Sequence, residues 1–247
     1  MPYTSIKYEK TDHTAMITLH RPETGNIADL KMVQELEETC MRINGDSDVY
    51  VVMVTGAGDV FCTGRETADG PFENGPAGFI AGIERPVIAV INGDALGEGL
   101  EIALSCDIRL AAKGARLGLP QASRGLMPVD GGTQRLPRIV GRGKALEMLL
   151  TADVITAEEA LGIGLVSKVF SAESLTGEAR NLADTVAAKG PLALRYLKEA
   201  VIKGMDMNLD QGLRLEADLY FLLHTTADRT EGIEAFREKR LPKFKGE

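Results

Sequence analysis

The sequence predicts an α/β fold, with an α/β core over residues 1–190 and a helical region over residues 191–247. Three apolar runs lack the alternation of a half-exposed strand, which is typical of strands buried on both faces of a sheet. Beyond Pro128, apolar residues recur at helical spacing almost to the end of the chain. The 247 residues are enough for one large domain with a well-buried core, and no repeat of fixed period interrupts them.

The first half of the chain alternates predicted strands with predicted helices. TAMITLHRP (14–22) alternates and then breaks at Pro22, which predicts a strand that ends in a loop. ADLKMVQELEETCMRIN (28–44) has apolar residues near helical spacing. Between the second and third buried strands, ALGEGLEIALS (95–105) predicts a helix after a glycine-rich entrance. The three buried strands are VYVVMVTG (49–56), RPVIAVING (85–93) and CDIRLAA (106–112).

The second half predicts a succession of helices. In VITAEEA, Thr156 is suited to be an N-cap and Glu159 follows three residues later, which is the pattern of a capping box. DRTEGIEAFREKRLPKF (228–244) predicts a final charged helix that ends before Pro242. The other helices are predicted at 132–141, 143–152, 156–164, 171–190, 191–205 and 208–227.

The charge balance argues against one class of partner. The chain has 28 Lys and Arg against 36 Asp and Glu, for a formal net charge of −8. A nucleic-acid-binding protein needs clustered basic residues to neutralise phosphates, so we expect no nucleic-acid partner. The balance leaves room for a local basic pocket that binds a small phosphorylated ligand.

Neither the cysteines nor the histidines indicate a metal or disulfide site. The three cysteines are widely spaced with no CxxC pair, which favours reduced thiols in a cytoplasmic protein. The three histidines lack metal-ligand spacing. The first residues carry no signal-peptide pattern, and no apolar run reaches transmembrane length, so we expect a cytoplasmic protein without a membrane partner. The three cysteines are Cys40, Cys62 and Cys106, and the three histidines are His13, His20 and His224.

Two glycine-rich loops are candidates for chemistry. In ALGEGLE (95–101) a strand, a turn and a helix follow one another, and the first N–H groups of a helix are unpaired and partly positive. An N–H near Glu98 can therefore polarise a carbonyl oxygen, and Glu101 lies one turn later on the same face. The alternative is a plain helix start whose acidic residues favour the dipole. GAGDVFCTGRETADG (56–70) is the second loop, and neither loop has P-loop or GxGxxG spacing.

Several motifs together resemble one known family. They are RPETGNIADLKMVQELEE, VFCTGRE, INGDALGEGLEIALSCDIRLAA, ARLGLPQASRGLMPVDGGTQRLPRIVG, LLTADVITAEEALGIGLVSKV and EGIEAFREKRLPKF. In order and spacing they resemble the enoyl-CoA hydratase/isomerase (crotonase) family from about residue 14 to residue 244. The resemblance implies a spiral of ββα units with a helical C-terminal trimerisation region, and a homotrimer or dimer of trimers. It also implies acyl-CoA thioester substrates, with coenzyme A as part of the substrate and no separate cofactor or metal.

The resemblance assigns an oxyanion hole to two backbone N–H groups. By motif position they belong to Arg65 and Glu98, where most relatives carry small residues. The Arg65 and Glu98 side chains are therefore departures; they can pair across the hole or form a surface ion pair of little energy. Substrate contacts are predicted for the flanking residues Gly64, Arg65, Glu66, Thr67, Ala68 and Gly97.

The predicted catalytic residues are Glu101, Gln121 and Asp130. In the hydratase branch two carboxylates activate one water, and the first of them matches Glu101. The second falls on Gln121, and a glutamine orients water without exchanging a proton. This departure also counts against an isomerase that uses only the second carboxylate. Asp130, just before GGTQR, is a candidate partner for Glu101, because some branches bring an Asp into the pocket from this loop. Its alternative role is that of a turn residue before Gly-Gly.

These residues predict an enzyme that hydrates an enoyl-CoA or dienoyl-CoA. Double-bond isomerisation, or hydrolysis of a carbon–carbon or thioester bond, remains an alternative on the same scaffold. The third alternative is a degenerate member that binds acyl-CoA or RNA without turnover, which is motivated by Gln121 and by the bulky residues at positions 65 and 98.

Overall fold

A six-stranded sheet forms the centre of the computed structural model, which describes residues 3–66 and 75–247. The strand order is β1-β2-β3-β4-β6-β9, and β1 is antiparallel to β2 while every other pair is parallel. The strands of this sheet are β1 (Ile6–Thr11), β2 (Thr14–Leu19), β3 (Val51–Gly56), β4 (Val87–Ile91), β6 (Ile108–Ala112) and β9 (Lys168–Phe170). A second sheet, in the order β5-β7-β8, is formed by β5 (Ala95–Leu96), β7 (Arg116–Gly118) and β8 (Val154–Thr156).

Helices cover the sheet and form the C-terminal region. Helix α7 packs across β3, β4 and β6, which explains why β4 is buried along its whole length. The helices are α1 (Leu30–Gly45), α2 (Pro76–Ala81), α3 (Glu98–Ser105), α4 (Gly132–Val140), α5 (Arg142–Thr151), α6 (Ala157–Gly162), α7 (Ala172–Ala187), α8 (Pro191–Gly204), α9 (Leu209–Leu223) and α10 (Ala227–Glu238). Short 3-10 helices cover Pro22–Thr24 and Pro120–Arg124.

The edge strand β1 has no counterpart among the predicted strands. Only Ile6 of this strand is buried, so the alternation in its sequence is limited to Ile6 and Tyr8 and is too short to predict a strand. The chain that leads into it is held by Glu35 of α1, whose carboxylate accepts hydrogen bonds from the backbone N–H groups of Thr4, Ser5 and Ile6. This buried carboxylate connects α1 to the edge of the sheet.

The small second sheet also went unpredicted, because two or three residues are too few for a periodic signal. Its role is to place the entrance of α3. The N–H of Leu96 donates to the carbonyl of Cys62 at 2.9 Å, and the N–H of Gly97 donates to the carbonyl of Gly118 at 2.9 Å. The chain before α3 is therefore fixed from both sides.

The predicted helices of the second half are confirmed, including the start of α6 at its capping box. The Thr156 hydroxyl accepts from the Glu159 N–H, and the Glu159 carboxylate accepts from the Thr156 N–H at 2.8 Å. The final helix, α10, ends at Glu238, and the tail behind it is held by Asp228, which accepts from the N–H groups of Lys245 and Gly246. The predicted boundary at 190/191 lies between α7 and α8.

Candidate active site

The entrance of α3 needs both of its glycines, each for a different reason. Gly97 has φ +55° and ψ −120°, a conformation that side-chain-bearing residues rarely adopt, and it turns the chain from β5 into the helix. Gly99 lies in the first turn, where a Cβ would overlap the carbonyl group of Cys62. The helix can therefore approach the second glycine-rich loop at backbone distance.

The two glycine-rich loops meet at this point. The backbone of Cys62 forms an isolated parallel β-bridge with Ala95, and that of Arg65 forms another with Ala28. A Cβ built on Gly97 would lie 3.7 Å from the Cα of Gly64. Because Glu98 is the first residue of α3, its N–H has no acceptor within the helix.

A cavity of about 320 Å³ opens over the junction of the loops. This volume is at the lower end of the usual range for small-molecule sites. Three of its lining residues, Leu126, Met127 and Val129, are apolar and more than half exposed, so an apolar group that enters the cavity can contact them. The cavity is lined by Thr63, Gly64, Arg65, Gly97, Glu98, Pro120, Gln121, Arg124, Gly125, Leu126, Met127 and Val129.

The predicted site residues divide into a group on this wall and a group behind it. On the wall lie the predicted residues Gly64, Arg65, Gly97, Glu98 and Gln121. Glu101 and Asp130 do not line the cavity, and neither does Glu66, which is exposed beside it. Thr67 and Ala68 lie outside the described residues.

Glu101 is fully buried and is held at one oxygen. Its Oε1 accepts hydrogen bonds from the N–H groups of Asp130 and Gly132, both at 2.8 Å. Its Oε2 has no hydrogen-bond partner among the described residues. Burial raises the pKa of Glu101, while the N–H groups that bind its carboxylate oppose the increase.

Asp130 connects this region to α2. Its Oδ2 accepts a hydrogen bond from the N–H of Ala77 at 2.6 Å, in the first turn of that helix. A Cβ at the helix N-cap, Gly75, would overlap the Asp130 carboxylate, so the glycine permits this close approach. Burial raises the pKa of Asp130, and the N–H groups of α2 together with the charge of Arg135 oppose that change.

The side chain of Glu98 is buried against the same carboxylate. It is 3% exposed, and its carboxyl group is hydrogen-bonded to that of Asp130. Among the described residues, no N–H or hydroxyl group donates to its Oε1. Burial, followed by the charges of Glu101 and Asp130, raises the pKa of Glu98 to about 8, although the positive charge of Arg65 counteracts part of this change.

Gln121 lies in the 3-10 helix that begins at Pro120 and faces the turn before α3. Its Nε2 would lie 3.6 Å from a Cβ built on Gly97. Its Oε1 is buried without a hydrogen-bond partner among the described residues. The amide therefore stands on the cavity wall beside Glu98, with an acceptor available.

The Glu98 carboxyl is a candidate functional group that the sequence motifs do not reveal. The motif gave a role only to its N–H. The signal that could have found the side chain was a glutamate in the first turn of a helix that is buried on all sides. Such a carboxyl has to be paired or protonated.

Across residues 3–66 and 75–247, no group of three or more His, Cys, Asp and Glu side chains is arranged to hold a metal ion. Within the same residues, no helix combines the length and the apolar character needed to cross a membrane.

Known proteins resemble this chain along its full length. A family model described as enoyl-CoA hydratase/isomerase matches residues 9–247. The crotonyl-CoA hydratase of Syntrophomonas wolfei is 40% identical over 257 residues, which cover 99% of each chain. The (E)-benzylidenesuccinyl-CoA hydratase of Thauera aromatica is 39% identical over 98% of this chain and 99% of that protein.

A solved structure agrees with these sequence matches. The crystal structure of an enoyl-CoA hydratase from Bacillus anthracis superposes with a TM-score of 0.95 at 38% identity, and covers 99% of this chain and 100% of that one. The fold class and the family resemblance drawn from the motifs are thereby confirmed. The chain belongs to the enoyl-CoA hydratase/isomerase family.

Proposed function

We propose that this enzyme adds water across the α,β double bond of an enoyl-CoA or dienoyl-CoA thioester. The observation that carries the proposal is the entrance of α3, where a helix-terminal N–H and the buried Glu101 carboxylate are one turn apart beside a cavity. The full-length relatives that are named hydratases support the same reaction.

The backbone N–H groups of Arg65 and Glu98 bind the thioester oxygen. Addition of a nucleophile at the β-carbon moves electron density onto this oxygen and forms an enolate. Donors that are already fixed in place stabilise that charge without having to reorganise. The proximity of Gly64 to Gly97 supports a common binding point for the two donors.

Glu101 is the base in this proposal. The two N–H groups on its Oε1 favour the ionised form and leave Oε2 for a water molecule. The attacking water transfers a proton to this oxygen as its own oxygen bonds to the β-carbon. Glu101 lies behind the cavity wall, so the wall has to admit one water beside it when substrate binds.

Gln121 and Asp130 complete the proposed site. The Gln121 amide orients water or substrate from the cavity wall, and it transfers no proton. Asp130 is the second ionisable group, and it acts from behind the wall through its hydrogen bond with Glu98. Coenzyme A enters as part of the substrate, and the proposal requires no metal or separate cofactor.

The test is a turnover assay with the purified protein and crotonyl-CoA. We expect the absorbance of the conjugated thioester to fall and a product heavier by one water to form. Glu101→Gln should lower kcat by about a hundredfold or more with little change in KM, because it removes the base and keeps the shape. Glu158→Gln, on the exposed side of α6, is the matched control and should match the unsubstituted enzyme.

Other thioesters in the same assay separate the alternatives. Movement of a double bond without gain of water would replace hydration by isomerisation. Release of free coenzyme A, or cleavage of a β-keto thioester, would replace it by hydrolysis. Measurable binding of acyl-CoA without turnover would favour a degenerate binding protein.

We also propose a homotrimer or a dimer of trimers that acts in the cytoplasm. Helices α8 and α9 pack together and leave several large apolar side chains exposed, which suits contact with further copies of the chain. Cys40, Cys62 and Cys106 are buried as free thiols, which is consistent with a reducing compartment.

A further inference from the structure

We propose that the side chain of Glu98, whose carboxyl group shares one proton with Asp130, is the acid that protonates the substrate α-carbon. This inference rests on the proposed function, because it places the thioester oxygen on the Arg65 and Glu98 N–H groups. It gives a proton-transfer role to a residue that otherwise supplies only a backbone donor, and it explains how Gln121 is tolerated.

The position of Glu98 suits proton transfer to the α-carbon. Glu98 belongs to the cavity wall although only 3% of the residue is exposed. Its own N–H is one of the two proposed oxyanion donors. A substrate bound there has its carbonyl carbon beside Glu98, and the α-carbon is one bond further. The residue that binds the thioester oxygen therefore also carries the carboxyl, which places this acid at the reacting end of the substrate.

The hydrogen bond between Glu98 and Asp130 identifies where the proton is held. Two ionised carboxylates have only acceptors, so a hydrogen bond between them requires one proton. The Asp130 carboxylate accepts hydrogen bonds from the N–H groups of Ala77 and Gly78 of α2, which stabilise its ionised form. Glu98 receives no such donor on Oε1 within the described chain. The proton therefore resides on Glu98.

The three carboxyl groups therefore have different roles: one is the base, one is the acid, and one positions the acid. Glu101 accepts two backbone N–H groups and is the ionised partner, whereas Glu98 is buried against negative charge and is the protonated partner. Environments that separate the pKa values of two neighbouring titratable groups in this way are typical of acid–base pairs in enzymes. Asp130, which does not line the cavity, is a positioning residue that keeps Glu98 protonated.

Each proton and electron pair in the proposed reaction has a defined destination. A water molecule gives a proton to Glu101 Oε2, and its oxygen forms a bond to the β-carbon. The π electrons of the double bond form an enolate, whose charge rests on the thioester oxygen. The enolate collapses, the α-carbon takes the proton of Glu98, and Glu98 becomes a carboxylate. Loss of the Glu101 proton and return of a proton to Glu98 restore the starting state.

The charged groups that face Glu98 come from three elements. Glu101 lies on the same helix, Asp130 comes from the segment before α4, and Arg65 comes from the other glycine-rich loop. The two carboxylates favour the protonated form of Glu98, and Arg65 opposes them. Arg135 acts on Asp130, whose pKa it lowers.

The decisive experiment is α-hydrogen exchange, which needs no addition of water. Butyryl-CoA, which is saturated, is incubated with the enzyme in D₂O at pH 8.5, and deuterium at the α-carbon is measured by mass spectrometry. Glu98 as a carboxylate removes an α-proton, the electron pair passes to the thioester oxygen, and a deuteron returns by the reverse path. Crotonyl-CoA hydration is measured on the same samples.

We expect Glu98→Gln to lower the exchange rate by about a hundredfold or more, because the amide exchanges no proton while the backbone N–H remains. The control Glu158→Gln should leave the rate unchanged. Equal exchange rates in Glu98→Gln and in the unsubstituted enzyme, or no exchange in the unsubstituted enzyme, would overturn the inference. If exchange depends on Glu98 but crotonyl-CoA is not hydrated, the proposed function fails and the inference stands.

A second variant tests the role of Asp130 through the pH profile. Asp130→Asn removes a negative charge that holds the pKa of Glu98 high, so this pKa falls. Because hydration needs Glu98 protonated, the alkaline limb of the kcat profile should lie near pH 8 in the unsubstituted enzyme and at least about half a unit lower in the variant. An alkaline limb at the same pH in both proteins contradicts the inference.

Discussion

Three carboxyl groups lie in one small region and differ in what donates to them. Glu101 accepts two backbone N–H groups, and Asp130 accepts N–H groups from the start of α2. Glu98 is buried beside negatively charged neighbours, and this environment raises its pKa to about 8. At the residue scale, the chemistry of each group follows from the number of N–H donors that face it more than from its residue type.

The high pKa of Glu98 predicts a stability change that depends on pH. Its ordinary pKa is 4.5, so the folded protein retains a proton between pH 4.5 and 8 that the unfolded chain has lost. The associated stability is fully present below pH 4.5 and is lost as the pH rises to 8. Glu98→Gln does not ionise and should raise the free energy of unfolding by about 1–3 kcal/mol at pH 8.5.

The measurement is denaturant unfolding of both proteins at pH 8.5 and at pH 4. Near pH 4, Glu98 is largely protonated in both states, so the advantage of the variant should nearly disappear. A gain of the same size at both pH values would mean that packing, not ionisation, separates the two proteins.

A carboxyl introduced at Gln121 should restore part of the activity that Glu98→Gln removes. Gln121→Glu introduces a carboxyl on the cavity wall that Glu98 also lines, at the position where the sequence resemblance implies a second acid. We expect the double variant Glu98→Gln, Gln121→Glu to hydrate crotonyl-CoA at least about tenfold faster than Glu98→Gln alone, because it regains a group that can exchange a proton. Steady-state kcat is the measurement, and equal rates would be the contrary result.

The site was predictable from the sequence only where a motif fixes a backbone position. Gly64, Gly97 and the first turn of α3 lie together as the spacing of the two loops indicates. The relation between Glu98 and Asp130 was not predictable, because it depends on α2 and on the approach at Gly75, which are 23 and 55 residues away from those carboxyls. Long-range packing of this kind has no periodic signal.

At the scale of elements, the predicted strands are those whose burial leaves a pattern in the sequence, and β2 shows it as alternation. β3, β4 and β6 have apolar residues at nearly every position because helices cover them. β1 was not predicted because only Ile6 of its six residues is buried, and β5, β7 and β8 were not predicted because they are two or three residues long. These short strands determine the direction of α3, so elements without a sequence signal position the site.

The close approach of α3 to the other loop predicts a strong effect of a single methyl group. Gly99→Ala would place a Cβ against the Cys62 carbonyl, and backbone on one side has to move. We expect a loss of about 2–4 kcal/mol in the free energy of unfolding, together with a loss of hydration activity as the two proposed oxyanion donors separate.

The matched control is Gly177→Ala in α7. This glycine is exposed in the middle of a helix with no atom near its Cβ position, so the same substitution should stabilise the protein by about 0.5–1 kcal/mol. Urea unfolding of both variants, with crotonyl-CoA turnover alongside, makes the comparison. Similar stabilities for the two variants would show that the contact at Cys62 relaxes at little cost.

At the scale of the whole molecule, the core and the C-terminal helices differ in what they leave uncovered. The large sheet is buried between helices, whereas α8 contains no buried residue and α9 contains only Leu219. We define the C-terminal apolar face as Leu197, Val201, Leu209, Leu213 and Phe221, each of which is more than half exposed. A face of this kind on helices that pack together is typical of an interface between subunits.

The C-terminal apolar face predicts assembly and a way to disrupt it. We expect the mass in solution, measured by light scattering after gel filtration, to be that of three or six chains of 26.5 kDa. Val201→Lys with Phe221→Lys places two like charges on the apolar face of each chain. Burial of those charges without partners is costly, so the assembly should dissociate toward monomers. The control Thr176→Lys, on the exposed side of α7, should keep the original mass. A monomer in the unsubstituted protein would refute the assembly, and an unchanged mass in the double variant would place the contact between subunits elsewhere.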